Sequence, residues 1–248
     1  DLTVEELSWA GGTMSGVGET RVERLLTRYG GSGTLDARSL TIGENASGTW
    51  TSGNMVLANG ASLNNLGTFE LGWEGTEYLN LQSGSGARGK FSNSGYFGKS
   101  GAGSAVFTVN YDNSGAIDIQ SGGISFSGSG GGSGPFNVAA GAGVEFGFGP
   151  HTLNGSIGGE GHVLFAGQVT LAGDYAIGGF TRIYAGGHVD FQGVVSSVGT
   201  HLSVSGVANF HDTAVSTATV TFLGGELITG DLTVEELSWA GGTMSGVG

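Results

Sequence analysis

Apolar and polar residues alternate in short runs along the whole chain, and glycine-rich turns separate these runs. In Ile117-Asp118-Ile119 and in Leu202-Ser203-Val204, for example, every second side chain is apolar. A period of two places the apolar side chains on one side of a β-strand. The pattern therefore predicts many short strands, each with one buried side.

A longer period joins these strands into a repeating structure. The interval is 20 residues from Phe126 to Phe146 and 19 from Phe146 to Phe165, whereas the step to Phe191 is 26. Repetition at about 20 residues is typical of a solenoid, in which each coil buries its apolar side against the next coil. The predicted inward ladder consists of Ile124, Phe126, Val144, Phe146, Val163, Phe165, Val189, Phe191 and Phe210.

Asparagine recurs at the same place in three similar turns, with the sequences LNNLG, FSNSG and YDNSG. The three residues are Asn65, Asn93 and Asn113. Equivalent turn residues of neighbouring coils lie above one another in a solenoid. We therefore expect these asparagines to form a second ladder, in the turns.

The first 18 residues recur without change as residues 231 to 248. This repetition predicts one β-solenoid repeat unit over residues 1–230 and the start of an identical unit over 231–248. Because neither a signal peptide nor an initiating methionine precedes Asp1, we expect the chain to be a piece of something longer. The predicted fold is all-β, a parallel β-helix with about 20 residues per coil and roughly 11 to 12 coils. At about 4.8 Å between paired strands, one unit would be roughly 55 Å long.

The segment Thr20 to Gly30 fits two structures. Val22, Leu25, Leu26 and Tyr29 have helical spacing, and Thr20 begins a match to a capping box. Val22, Arg24, Leu26 and Arg28 also alternate as in a strand. We favour the strand, because it keeps the solenoid continuous.

Composition narrows the range of functions. The 248 residues include 53 glycines and no cysteine, and 8 basic residues stand against 21 acidic ones, for a net charge of -13. This charge would repel nucleic acid and anionic membrane surfaces. The absence of cysteine fits a secreted protein, and no apolar run approaches the roughly 20 residues of a membrane-spanning helix.

Three segments carry a family resemblance: the Asn-Ser-Gly turns at 93–95 and 113–115, LSWAGGTMSG at 7–16, and DYAIGGFTRIYAGGHVDFQG at 174–193. On these segments the chain resembles the glycine-rich bacterial β-solenoid surface proteins, which include autotransporter passengers and filamentous haemagglutinin-like adhesins. The last segment is similar to a passenger repeat of the form Y-x-GG-x-T-x-I-x-AGG, although Ile177 and Phe180 depart from it. The resemblance implies a right-handed parallel β-helix at the cell surface, with no shared catalytic residues.

Catalytic and metal chemistry are weakly represented. Some β-helices cleave acidic polysaccharides with clustered carboxylates and a basic residue, but Asp112, Asp118, Asp190 and Asp212 are spread over several coils with few basic neighbours. None of the five histidines has the spacing of a zinc site, and we expect them on solvated turns or faces. We predict no catalytic residue, no cofactor and no dedicated metal site, with at most low-affinity surface calcium.

Exposed aromatic residues could bind sugars by stacking. Trp9, Trp50 and Trp73 are the candidates, although the alternation around Trp9 equally places it in the core. The first hypothesis is therefore a structural segment of a long extracellular filament, stalk or bacterial surface fibre, whose partners are identical units joined head to tail. The alternative is an adhesin that binds glycans or another cell through a lateral face, and a polysaccharide lyase or hydrolase is the third hypothesis.

Overall fold

The computed structural model describes residues 1–75 and 79–246. Within these residues the secondary structure consists of 33 β-strands without a helix, and a helix able to span a membrane is accordingly not found there. The strands are β1 (Leu2–Trp9), β2 (Gly12–Ser15), β3 (Glu19–Arg28), β4 (Gly33–Asp36), β5 (Ser39–Ile42), β6 (Ser47–Trp50), β7 (Met55–Ala58), β8 (Ser62–Asn65), β9 (Thr68–Leu71), β10 (Leu79–Ser83), β11 (Lys90–Asn93), β12 (Tyr96–Lys99), β13 (Ser104–Phe107), β14 (Asn110–Asn113), β15 (Ala116–Ile119), β16 (Gly123–Phe126), β17 (Gly130–Gly132), β18 (Phe136–Val138), β19 (Gly143–Phe146), β20 (Pro150–Leu153), β21 (Ile157–Gly159), β22 (His162–Phe165), β23 (Gln168–Leu171), β24 (Tyr175–Ile177), β25 (Phe180–Ile183), β26 (His188–Phe191), β27 (Val195–Val198), β28 (His201–Val204), β29 (Val207–Asn209), β30 (Val215–Phe222), β31 (Glu226–Ile228), β32 (Leu232–Trp239) and β33 (Thr243–Ser245).

The strands form a parallel β-solenoid with three faces, confirming the predicted fold. Successive coils contain about 20 residues each, and there are about 12 turns. Four long strands bend around a corner and contribute one half to each of two faces: β1, β3, β30 and β32. Face 1 comprises β2, β4, β7, β10, β13, β16, β19, β22, β25, β28 and the second halves of β30 and β32.

Faces 2 and 3 follow face 1 in each coil. Face 2 comprises the first halves of β1 and β3 and then β5, β8, β11, β14, β17, β20, β23, β26, β29, β31 and β33. Face 3 comprises the second halves of β1 and β3, then β6, β9, β12, β15, β18, β21, β24 and β27, and the first halves of β30 and β32.

Glycine allows the coils to approach each other closely at the corners. Gly67, Gly95 and Gly115 stand above one another at the corner between faces 2 and 3, where Tyr96 N donates to Gly67 O at 2.8 Å. A Cβ atom on Gly95 would overlap the Gly67 carbonyl, and one on Gly115 would overlap the Gly95 carbonyl. The glycine-rich turns are therefore a packing requirement of the stack and not a sign of a flexible chain.

The nine residues assigned to one inward ladder lie on two faces. Val144 and Phe146 of face 1 pair in register with Ile124 and Phe126 before them, and with Val163 and Phe165 after them. After Phe165, the next residue of this ladder is Ile183. Val189 and Phe191 belong to β26 on face 2, and Phe210 follows β29 on the same face. The 26-residue step from Phe165 to Phe191 thus combines a coil with a change of face.

These ladders fill a continuous apolar core. All nine side chains are at most 2% exposed. The rings of Phe146 and Phe165 stack with centroids 5.8 Å apart, and those of Phe191 and Phe210 with centroids 4.4 Å apart. Stacked and offset aromatic pairs add about 0.5–1.5 kcal/mol to the free energy gained from burial alone.

The ambiguous segment Thr20 to Gly30 is a strand over most of its length. It belongs to β3, with Thr20, Val22, Leu26 and Arg28 pointing inward. The alternation that also fitted a strand is therefore the correct pattern, and the match to a capping box has no structural counterpart. Both copies of the repeated sequence are described except for Val247 and Gly248, which lie outside the described residues.

Candidate functional site

The three predicted turn asparagines lie at the ends of strands and point into the core. Asn65, Asn93 and Asn113 pair in register and are at most 1% exposed. Asn65 Nδ2 donates to Asn93 Oδ1 at 2.7 Å, and Asn93 Nδ2 donates to Asn113 Oδ1 at 2.8 Å. The same two amides also donate to the carbonyls of Tyr96 and Ala116. The ladder thus satisfies main-chain carbonyls that turn inward at the corner.

Two cations are buried where face 3 turns into face 1. Arg28 donates to the carbonyl oxygens of Trp9 at 3.3 Å and Asn54 at 2.8 Å, and also to those of Tyr29 and Gly31. Its guanidinium carbon lies 5.2 Å from the centroid of the Trp9 ring. Burial lowers the pKa of Arg28.

Lys99 occupies the equivalent corner position three coils later. Its Nζ donates to the carbonyl oxygens of Gly101 and, at 3.2 Å, Ser121, and burial lowers its pKa. Both cations therefore serve as internal hydrogen-bond donors to carbonyls of the corner. Sequence analysis did not identify either role, although Arg28 and Lys99 both stand at inward positions of the period-two pattern.

His151 is buried, contrary to the expectation that all five histidines lie on solvated turns or faces. It is 2% exposed and occupies an inward position of β20. Its Nε2 lies 3.1 Å from Gly147 O, and its Nδ1 lies 3.0 Å from the hydroxyl of Tyr111. Because a carbonyl can only accept, Nε2 carries the proton and Nδ1 accepts from Tyr111. The alternation of His151-Thr152-Leu153 was the signal that could have predicted this burial.

The carboxylates considered for catalysis pair with separate partners. Asp112 contacts Lys90 Nζ at 3.0 Å, and Asp118 accepts from Asn137 Nδ2 at 2.6 Å. Asp190 contacts His211 Nε2 at 2.7 Å. Among the described residues, His, Asp and Glu side chains nowhere form a group of three or more that could hold a metal ion.

Two of the three candidate sugar-binding tryptophans are in the core. Trp9 is 4% exposed and Trp50 is fully buried, so neither ring face is available for stacking on a sugar. Their indole nitrogens donate to carbonyls of the following corner, from Trp9 to Gly11 at 2.9 Å and from Trp50 to Gly53 at 2.8 Å. Trp73 is half-buried and packs against the core.

An exposed aromatic group does occur on the outside of face 1. Phe180 is 37% exposed, and its ring stacks on that of His162, with centroids 4.6 Å apart and planes 6° apart. His201 is the register neighbour of Phe180 on the next strand, and Arg182 lies outward on the same strand as Phe180. We define the lateral patch as Phe180, Arg182, His201, Thr221 and Leu223, which line a groove of about 420 Å³.

The sequence had shown Phe180 only as a departure from the passenger repeat. Because Thr181 is fully buried, the alternation of the strand directs Phe180 outward. The apolar residues before and after it lie inward, so a pattern search for core positions passes over it. Its partners His162 and His201 are distant in sequence and meet only because coils of about 20 residues stack in register.

We predict that His151 makes the stability of the chain depend on pH. Burial lowers its pKa to about 4, from 6.5 in an unfolded chain. Because the unfolded chain binds more protons between these values, stability is complete above pH 6.5 and is lost as the pH falls towards 4. The loss between pH 7 and pH 4.5 should be about 2 kcal/mol.

Urea unfolding at both pH values measures this loss. The His151→Gln variant should show a pH-dependent loss smaller than that of the unmodified chain by about that amount. His188→Gln, at an exposed position of β26, is the matched control and should leave the pH dependence unchanged. Equal pH dependence of all three proteins would contradict the assignment.

Comparisons of the chain with family models, with curated proteins and with solved structures found no match. The strand pairing of the chain itself therefore establishes the solenoid, and the similarity to bacterial surface adhesins stays a resemblance of motifs.

Proposed function

We propose that this chain is a structural segment of a long β-solenoid rod built from tandem copies of the 230-residue unit. The observation that carries the proposal is the placement of the repeated sequence. Residues 1–16 and 231–246 form the first and last described coils of one uninterrupted stack, and both copies fold as a long strand followed by a short one. Each copy thus stands where one unit would meet the next.

The two copies of one tryptophan support this proposal. Trp9 is 4% exposed because Arg28 of the following coil covers it. Trp239, its copy in the last described coil, stacks on Phe222 of the preceding coil and is 53% exposed. A further coil stacked on that end would bury the ring. Burial of an aromatic side chain contributes about 1.5–3 kcal/mol, which would favour continued stacking.

The proposed rod has a mechanical role and acts outside the cell, at a bacterial surface or in a secreted fibre. Its partners are identical units joined head to tail. The absence of cysteine and the resemblance to surface β-solenoids support this location. The separate pairing of Asp112, Asp118 and Asp190 favours a structural role over a catalytic one.

A small-angle X-ray scattering comparison tests the rod. The 248-residue chain is compared with the same chain lengthened by one further 230-residue unit. Because each coil adds about 4.8 Å, the longer chain should be extended by roughly 55 Å while its cross-sectional radius stays the same. An increase in cross-section without this gain in length would contradict the proposal.

Glycan binding through the lateral patch is a second candidate function. The specific observation in its favour is the exposed ring of Phe180 beside two donors, Arg182 and His201, in one groove. Binding sites for sugars combine an aromatic surface for the apolar side of the ring with donors for its hydroxyls. The patch therefore takes the place of the tryptophans that sequence analysis had suggested.

We predict that a glycan array will detect binding that depends on Phe180. Phe180→Ala should weaken the affinity about tenfold, corresponding to roughly 1.4 kcal/mol. Phe148→Ala is the matched control, because Phe148 is 85% exposed and lies outside the patch. Absence of binding by the unmodified chain, or an equal loss in both variants, would contradict this function and leave the rod untouched.

A further inference from the structure

The two copies of the repeated sequence lie on different faces of the solenoid. In the first copy, β1 runs along faces 2 and 3, and β2 continues on face 1. In the second copy, β32 runs along faces 3 and 1, and β33 continues on face 2. Identical residues thus form the same local structure, displaced by one face.

The strand register establishes this displacement residue by residue. Met14 pairs with Leu35 on face 1, whereas its copy Met244 pairs with Leu227 on face 2. Leu35 and Leu227 belong to separate stacks, because face 2 can be followed from β33 back to the first half of β1 without meeting a strand of face 1.

Counting along face 2 gives the size of the displacement. Over the described residues, β33 lies twelve coils beyond the first half of β1. The first half of β32 precedes β33 by two faces. The 230 residues between the copies therefore make eleven coils and one further face.

We propose that successive units of the rod are displaced by one face, so that equivalent surfaces of neighbouring units point in directions a third of a turn apart. This inference rests on the proposed function, because it requires units joined head to tail. Three units are needed before a given surface returns to its original face.

The end of the unit is already adapted to this displacement. At the beginning, β1 and β3 bend at the corner between faces 2 and 3. Near the end, β30 bends at the corner between faces 3 and 1, and β32 stacks on it in register, from Val215 with Leu232 to Phe222 with Trp239. The bend therefore changes corners within the unit, before the second copy begins, and the junction itself is ordinary coil stacking.

The displacement has a consequence for the lateral patch. A unit of whole coils would place every copy of Phe180 along one side of the rod. With a displacement of one face, copies of Phe180 follow one another at intervals of roughly 55 Å along the axis, each a third of a turn from the last. Three consecutive units would then present the patch on all sides of the fibre.

Cysteine pairs introduced into the 248-residue chain test the displacement. The chain has no cysteine of its own, so each pair supplies the only two thiols. Glu226 and Thr243 are register neighbours on face 2, and Thr219 and Glu236 are register neighbours on face 1. Neighbouring strands lie about 4.8 Å apart, within the Cα separation that a disulfide spans.

The displaced arrangement predicts that E226C/T243C and T219C/E236C lose both free thiols under mild oxidation, whereas T219C/T243C keeps them. If the second copy occupied the faces of the first, residue 243 would lie on face 1, and T219C/T243C would form the disulfide in place of E226C/T243C. That result would overturn the displacement and leave the rod intact. Failure of all three pairs would overturn it as well, because the last coils would then not be stacked.

Discussion

Main-chain hydrogen bonding between successive coils is the interaction on which the whole molecule depends. Ser94 N donates to Asn65 O at 2.8 Å, and Ser114 N donates to Asn93 O at 2.8 Å, so the ladder continues through the corners as well as along the strands. A strand of three or four residues cannot bury an apolar side alone and needs a coil above or below it. Continuity of stacking is therefore a condition of stability, and an extended shape follows from it.

The same constraint accounts for the polar side chains inside the core. Corners direct some carbonyl groups inward, where an unpaired carbonyl is costly. The amides of Asn65 and Asn93, the indoles of Trp9 and Trp50, and the cations of Arg28 and Lys99 all donate to such carbonyls. These residues thus have a common structural role that their different chemical classes conceal.

Period and alternation predicted the solenoid because they reflect the distance around a coil and the direction of side chains. They placed Phe146 and Phe165 correctly beside each other, yet they also joined Phe191 to that ladder, because a face change leaves no mark on the local pattern. Phe180 and His151 depend on which coil lies next to them, which spacing alone does not determine. The displacement of the second copy likewise requires the register of every intervening coil.

Native-state hydrogen exchange on the 248-residue chain tests most directly whether each coil is stabilised by its neighbours. If nearest-neighbour stacking governs stability, amides in the central strands β13 to β22 should be the most protected, and protection should fall coil by coil towards both ends. Central coils that exchange as fast as the first and last coils would contradict the account.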